Sequence, residues 1–293
     1  MGNNLSVVVE HYAHKSIYQP PPVNYKRESC QFTRTKCGDS IAMRLYSVST
    51  DVQVRWLSET SAAASPYDLL VLSHGNGTDI GHMHRFCEHL SSKLRVDVVV
   101  YDYPGYGHST GEQVCEKTML AAADAVFTAC QDHGYKAERM CVVGHSLGSV
   151  PALHLAAQTR WDVAGVLLLA PLASGSRVFL QNSRYTPKWV LGHLDCLLLD
   201  NTQRVARVRC PVAIVHGTND FVVTVEHTEC LKARIAETSR YPTLFLATGH
   251  NELVDASGRD LLKITEYIRK FYAKILPQHE ENKECNDLLL LLD

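Results

Sequence analysis

From residue 68 onward the chain repeats one pattern. A short, mostly apolar run is followed by a longer stretch whose apolar residues recur at three-and-four spacing. The apolar runs lie at 69–73, 96–101, 140–143, 163–170, 212–216 and 243–247. Each is too short for a buried helix and lacks the alternation of a strand with one wet face, so each predicts a strand covered on both sides. Between them, Met83, Phe86, Cys87, Leu90 and Leu94 mark one amphipathic helix. Met119, Ala122, Ala123, Val126, Phe127 and Cys130 mark a second, ending near Gly134, and Leu261, Ile264, Ile268, Phe271, Tyr272 and Ile275 mark the last. Strand–helix alternation of this kind specifies an α/β fold: a mostly parallel central sheet flanked by helices on both faces.

The segments outside this pattern set the organisation. Residues 1–30 form an N-terminal arm, extended around Pro20-Pro21-Pro22. Residues 31–36 and 41–48 predict an antiparallel hairpin around Gly38-Asp39 at the start of a domain spanning 31–276. The connection from 171 to 209 is longer than the others and holds Tyr185, Trp189 and Leu197-Leu198-Leu199. In such a sheet an insertion of this size lies over the carboxyl ends of the strands, where ligands bind, and is expected to form a small cap. Residues 277–293 carry Glu280, Glu281, Glu284 and Asp287 against Lys283, and read as a loose acidic tail.

Charge and cysteine usage exclude several classes. The formal net charge of −2 gives no argument for a nucleic-acid surface. Ten cysteines are scattered with no Cys-x-x-Cys pair, which argues against a disulfide framework or a zinc site and for buried reduced thiols in the cytosol. No apolar run reaches the roughly 18–20 residues of a membrane-spanning helix, so membrane contact calls for an anchor or a partner.

The chemistry centres on Gly144-His145-Ser146-Leu147-Gly148. Residues 140–143 read as a buried strand and 147–158 as a helix, with Pro151 near the end of its first turn, so Ser146 falls on the sharp strand-to-helix turn that exposes a nucleophile. Serine needs a base and an orienting acid, which in this architecture follow in the order Ser, Asp or Glu, His. The strand at 212–216 runs into Gly217-Thr218-Asn219-Asp220, and the next, at 243–247, into Thr248-Gly249-His250. Asp220 and His250 therefore sit at the carboxyl ends of neighbouring strands, where they can meet over Ser146 as acid and base. The rival acids fit less well: Asp195 and Asp200 lie in the cap, and Asp255 follows the histidine. Of the other histidines, His216 reads as a hydrogen-bonded core or turn residue and His227 as helix surface. An oxyanion needs two donors: the Leu147 N–H, and an N–H from the loop Ser73-His74-Gly75-Asn76-Gly77, where Asn76 is the candidate.

Two other patterns carry no chemistry. Thr110 stands where the third glycine of a dinucleotide fingerprint belongs after Gly105-Tyr106-Gly107. His82, His84 and His89 share one helix without the glutamate or cysteines of a zinc motif and read as a solvated face. No metal or other cofactor is expected.

Beyond these derivations, the chain resembles a known family. The strings Leu72-Ser73-His74-Gly75-Asn76, Tyr101-Asp102-Tyr103-Pro104-Gly105-Tyr106-Gly107, Gly144 to Pro151, Ala170-Pro171-Leu172-Ala173-Ser174-Gly175, His216 to Asp220 and Gly249-His250-Asn251 are similar to those of the membrane-associated α/β-hydrolase-domain protein depalmitoylases. The resemblance runs from about residue 18 to residue 272 and takes in Tyr18-Gln19-Pro20-Pro21-Pro22. It implies an α/β-hydrolase fold and cleavage of palmitoyl-cysteine thioesters on S-acylated membrane proteins. The residues by themselves imply acyl hydrolysis through a Ser146–His250–Asp220 triad and an acyl-enzyme. The alternatives are a carboxylesterase or lipid esterase, a serine peptidase, and a non-catalytic interaction protein on the same fold. One departure stands out: animal members carry an N-terminal cysteine cluster that is itself acylated, whereas the first cysteine here is Cys30. Instead Met1-Gly2-Asn3-Asn4-Leu5-Ser6 fits the N-myristoylation pattern at Gly2, which would place the protein on the cytoplasmic face of a membrane. A single myristoyl chain holds a protein there only marginally without a second signal.

Overall fold

The structure, a computed structural model, describes residues 17–47, 49, 68–111, 114–180 and 193–276. The arm before Ile17, including Gly2, and Tyr185, Trp189 and the acidic tail lie outside the described residues.

Eight strands form one sheet: β1 (Gln31–Arg34), β2 (Ser40–Tyr46), β3 (Leu69–Ser73), β4 (Asp97–Tyr101), β5 (Met140–His145), β6 (Gly165–Leu169), β7 (Val212–Gly217) and β8 (Leu244–Leu246). Their order is β1-β2-β4-β3-β5-β6-β7-β8. The expected hairpin is present, with β1 antiparallel to β2, and β2 joins β4 antiparallel. All remaining pairings are parallel, as the mostly apolar runs predicted. Ser73 pairs with both Tyr101 and Gly144, so the carboxyl ends of β4, β3 and β5 lie level and their loops emerge side by side.

Seven α-helices cover the sheet: α1 (Ile80–Leu94), α2 (Glu116–Asp132), α3 (Ser149–Ala156), α4 (Gly175–Leu180), α5 (Asn201–Val205), α6 (Val225–Lys232) and α7 (Leu261–Ile275), counted among the described residues. Alternate side chains of each strand feed two separate cores. Met140 and Val142 pack with Met119, Phe127 and Val150 of α2 and α3, whereas Cys141 and Val143 pack with Phe86, Leu90, Ile264 and Phe271 of α1 and α7. A period of two in the strands thus meets a period of 3.6 in the helices on both faces. Cys87, Cys130 and Cys141 are buried free thiols, and burial pushes each well above the usual thiol range. No helix among the described residues is long and apolar enough to cross a membrane.

Ile17 and Tyr18 are buried in the α2–α3 side core, so residues 17–25 are docked on the domain. The connection expected to form a cap contributes α4, a 3-10 turn at Asp195–Leu197 and α5.

Candidate active site

The turn after β5 differs in one respect from the sequence reading. The expected helix at 147–158 opens instead with a 3-10 turn, Ser146–Gly148, and the α-helix begins at Ser149 and ends at Ala156. The cause is backbone geometry at the serine. Ser146 has φ 52°, a left-handed conformation that side-chain-bearing residues rarely adopt, so the chain reverses before regular helix can start. Two glycines make this turn possible by close approach. A Cβ on Gly144 would lie 2.4 Å from the Gly148 carbonyl oxygen, and one on Gly148 would lie 1.9 Å from the Ser73 carbonyl oxygen. Polar contacts brace the turn from below: Ser149 Oγ donates to the Ser146 carbonyl at 2.6 Å and accepts from Asn201 Nδ2 at 3.0 Å.

The structure brings together the three side chains singled out from sequence. His250 Nε2 lies 2.9 Å from Ser146 Oγ, and His250 Nδ1 lies 2.6 Å from Asp220 Oδ2. A proton on Nδ1 donated to Asp220 leaves Nε2 as the acceptor for the serine hydroxyl, the tautomer a general base requires. Ser146 is 8% exposed and Asp220 4%, so both are largely enclosed. The loops bearing acid and base are tied to each other, with Asn219 N donating to the Thr248 carbonyl at 3.1 Å and Thr218 N to the Leu246 carbonyl at 2.7 Å.

Asp220 is held on both oxygens. Its Oδ1 accepts from the N–H groups of Val222 and Val223 at 2.9 and 2.8 Å. Burial opposes its ionisation, but bonding to His216 and His250 and the nearby His250 charge outweigh burial, and the carboxyl stays well below the usual carboxylate range. His216 is wholly buried, as a core residue should be, bonded to Thr228 Oγ1 at 2.6 Å and to the Val223 carbonyl at 2.8 Å.

Each rival acid is engaged elsewhere. Asp195 is buried in an ion pair with Arg177, through Oδ1 and Oδ2 at 2.7 and 2.9 Å, and accepts from Ser174 Oγ at 2.6 Å. Asp200 caps α5 by accepting from Gln203 N, and Asp255 closes a turn onto Ser257. His227 corrects the sequence reading. It is 2% exposed, and its Nδ1 accepts from Ala173 N at 2.9 Å, because the chain just after β6 folds across the face of α6 that a single sequence leaves unpartnered. His82 and His84 are exposed as expected, while His89 is half-buried with Nε2 2.9 Å from Thr265 Oγ1. No group of three metal-ligating side chains occurs among the described residues.

Of the two candidate oxyanion donors, Leu147 follows Ser146 directly in the 3-10 turn, and Asn76 lies in the loop between β3 and α1. That loop abuts the serine turn. A Cβ on Gly75 would lie 2.7 Å from His145 Nδ1, in addition to the Gly148 approach to Ser73.

Sequence reasoning did not single out two histidines at this site. His145 is buried between the Gly75 loop and His250, its Nε2 3.3 Å from the His250 carbonyl oxygen and the two rings 5.1 Å apart. Burial, helped by the His250 charge, lowers its pKa to about 3, so it stays neutral. His74 and Asp102 form a second buried pair, Nε2 to Oδ1 3.3 Å, behind the Asn76 loop. An acid at the carboxyl end of a buried run, as in Tyr101-Asp102-Tyr103, is the signal that points to the second pair.

The family model described as serine aminopeptidase, S33 matches residues 64–195. The chain is 32% identical over 241 residues to α/β hydrolase domain-containing protein 17B of Xenopus tropicalis, covering 82% of this chain and 74% of that protein. The protein of that name from Homo sapiens is 31% identical over the same shares. The α/β hydrolase domain-containing protein aho-3 of Caenorhabditis elegans is 36% identical over 185 residues, 63% of this chain and 52% of that one. Among solved structures, an esterase of Pyrococcus furiosus superposes with TM-score 0.65 at 13% identity, covering 88% of this chain and 98% of its own. Est1E of Butyrivibrio proteoclasticus, solved with ferulic acid bound, superposes with TM-score 0.62 at 16% identity over 84% and 99%. At such identities the structural likeness is one of fold.

Proposed function

This chain belongs to the α/β hydrolase domain-containing protein 17 family, and we propose that it is a serine thioesterase that removes palmitoyl groups from cysteines of membrane-associated proteins. The observation that carries the acyl-transfer part is the continuous bonding from Ser146 Oγ through His250 to Asp220.

In the reaction, His250 Nε2 takes the serine proton as Oγ attacks the thioester carbonyl. The tetrahedral oxyanion accepts from the N–H groups of Leu147 and Asn76. Collapse expels the cysteine thiolate, which takes the proton from His250, and leaves palmitoyl-Ser146. Water then gives a proton to His250 as its oxygen attacks the acyl carbon. Breakdown of this second intermediate releases palmitate and restores the serine. The thiolate of a thiol with a pKa of about 8.5 leaves more readily than an alkoxide, so oxyanion stabilisation matters more than acid assistance.

An apolar substrate is supported by the residues next to the acid: Phe221 and Val222, directly after Asp220, are 83% and 53% exposed. The family supports acylated proteins as substrates. Attachment to a cytoplasmic membrane face through a myristoyl group on Gly2 is part of the same proposal and rests on the N-terminal motif.

The deciding experiment compares matched palmitoyl thioester and oxyester substrates, and an S-acylated protein, with the wild type and Ser146→Ala. Thioester and protein turnover that vanish in Ser146→Ala are expected. Preferred oxyester turnover with no action on the acylated protein would move the assignment to a carboxylesterase. Absence of Ser146 labelling by a fluorophosphonate would remove the enzyme reading.

A further inference from the structure

Asn76 stands between Gly75 and Gly77. Gly77 has φ 70°, and glycine on both sides leaves the backbone of Asn76 with few local restraints. An oxyanion donor works only if its N–H is already aimed before charge develops, so this loop needs restraint from elsewhere.

The Asn76 side chain supplies it. Its Oδ1 accepts from Tyr106 Oη at 2.7 Å and from the backbone N–H of Gln19 at 2.9 Å, and the same Gln19 N–H lies 3.0 Å from Tyr106 Oη. These bonds use both lone pairs of the amide oxygen and close a ring of three groups from the arm, the β3–α1 loop and the β4–α2 connection. Tyr106 is wholly buried, so its hydroxyl has a fixed position.

The arm is held a second time six residues on. Tyr25 Oη donates to Asp102 Oδ2, and the other oxygen of Asp102 accepts from Ile80 N at 2.9 Å and faces His74 Nε2. Tyr103 Oη donates to the His74 carbonyl at 2.6 Å. The two ends of the loop, His74 and Ile80, are thus pinned by the same connection that carries Tyr106.

We propose that Tyr106 is a positioning residue for acyl transfer: with the docked arm at Gln19, its hydroxyl holds the Asn76 side chain and so aims the Asn76 N–H at the oxyanion. The inference rests on the reading of Ser146 as nucleophile and Asn76 as donor. Its consequence is that catalysis depends on the arm being seated.

The test measures kcat and KM of the full chain on a palmitoyl thioester and a short oxyester for the wild type, Tyr106→Phe, Asn76→Ala and the double variant. Melting temperature and affinity for a palmityl trifluoromethyl ketone, which forms an oxyanion on the serine, are read alongside. Each single change is expected to lower kcat about tenfold, less than loss of a donor itself, with KM within about twofold. Ketone affinity should fall by the same factor, and the double variant should be no slower than the slower single, because both remove one shared contact. An unaltered kcat in Tyr106→Phe, a loss confined to KM, or losses that multiply in the double variant overturns the proposal. If Tyr106→Phe does not fold, Asn76→Ala decides by the same readings. Turnover that survives Ser146→Ala, or its absence from the wild type on both substrates, overturns the reading of the site itself. Ser146-dependent turnover with full activity in Tyr106→Phe overturns the positioning role alone.

Discussion

Asp220 Oδ2 faces two histidines, His250 Nδ1 at 2.6 Å and His216 Nε2 at 3.5 Å, and only the first of them reaches Ser146. The carboxylate thus holds the ring that reaches the serine, while the other histidine backs it from the core.

Asp220→Asn should preserve the fold and remove activity. An amide can offer His250 Nδ1 a donor where an acceptor is needed, which favours the wrong tautomer. A fall in kcat of about 10⁴-fold is expected, with melting temperature little changed. Steady-state kinetics beside a thermal melt check both parts, and retention of a tenth or more of the activity would show that Asp220 is not the orienting acid.

Gly148→Ala should be costly out of proportion to one methyl group. The added Cβ would fall 1.9 Å from the Ser73 carbonyl oxygen, a backbone atom that can move only with β3. Overpacking of this kind costs about 3 kcal/mol, or roughly 5–10 °C in melting temperature, and displaces Ser146. Loss of fluorophosphonate labelling in whatever protein remains folded is the second reading.

Stability should fall as pH drops below neutrality. Burial, with the Arg177 charge, lowers His227 from 6.5 to about 4, and burial, with the His250 charge, lowers His145 to about 3. Both rings stay neutral when folded and bind protons when unfolded. Their contributions are complete above the unfolded value, and are lost as pH falls from there toward the folded values. Each adds a slope of up to about 1.4 kcal/mol per pH unit within its window. His227→Asn, which keeps an acceptor for Ala173 N, should flatten the dependence of melting temperature on pH between pH 6.5 and pH 4.

Gly2→Ala should move the protein from the membrane to the soluble fraction. The motif at Gly2 is the basis for an anchor, and alanine cannot be N-myristoylated. Fractionation of cells expressing each form tests this, and full membrane retention by the variant would remove the anchor.

The chain's periodicity made the architecture legible. Short two-sided runs and amphipathic helices placed β3 to β8 within a few residues, because apolar spacing reflects which sides of an element are covered. The same logic placed Ser146, Asp220 and His250 at carboxyl ends of parallel strands. Less was legible where a side chain's surroundings come from distant segments. His227 reads as helix surface along α6, yet the chain after β6 at Ala173 helps to bury it. The place of Asp102 at the end of a buried run hints at a partner, but only the fold shows Tyr25, Ile80 and His74 converging on it.

What the sequence determined by itself is therefore the run of parallel strands, the long helices between them and the candidate nucleophile, acid and base, since each follows from local spacing and chain order. Tertiary structure alone decided that Ser146 takes φ 52° in a 3-10 turn, that His145 is packed behind His250, and that the arm at Gln19 meets Tyr106 over Asn76. These depend on the close approach of segments separated by up to 105 residues, and such distances are set by how two cores pack against one twisted sheet, which no local pattern encodes.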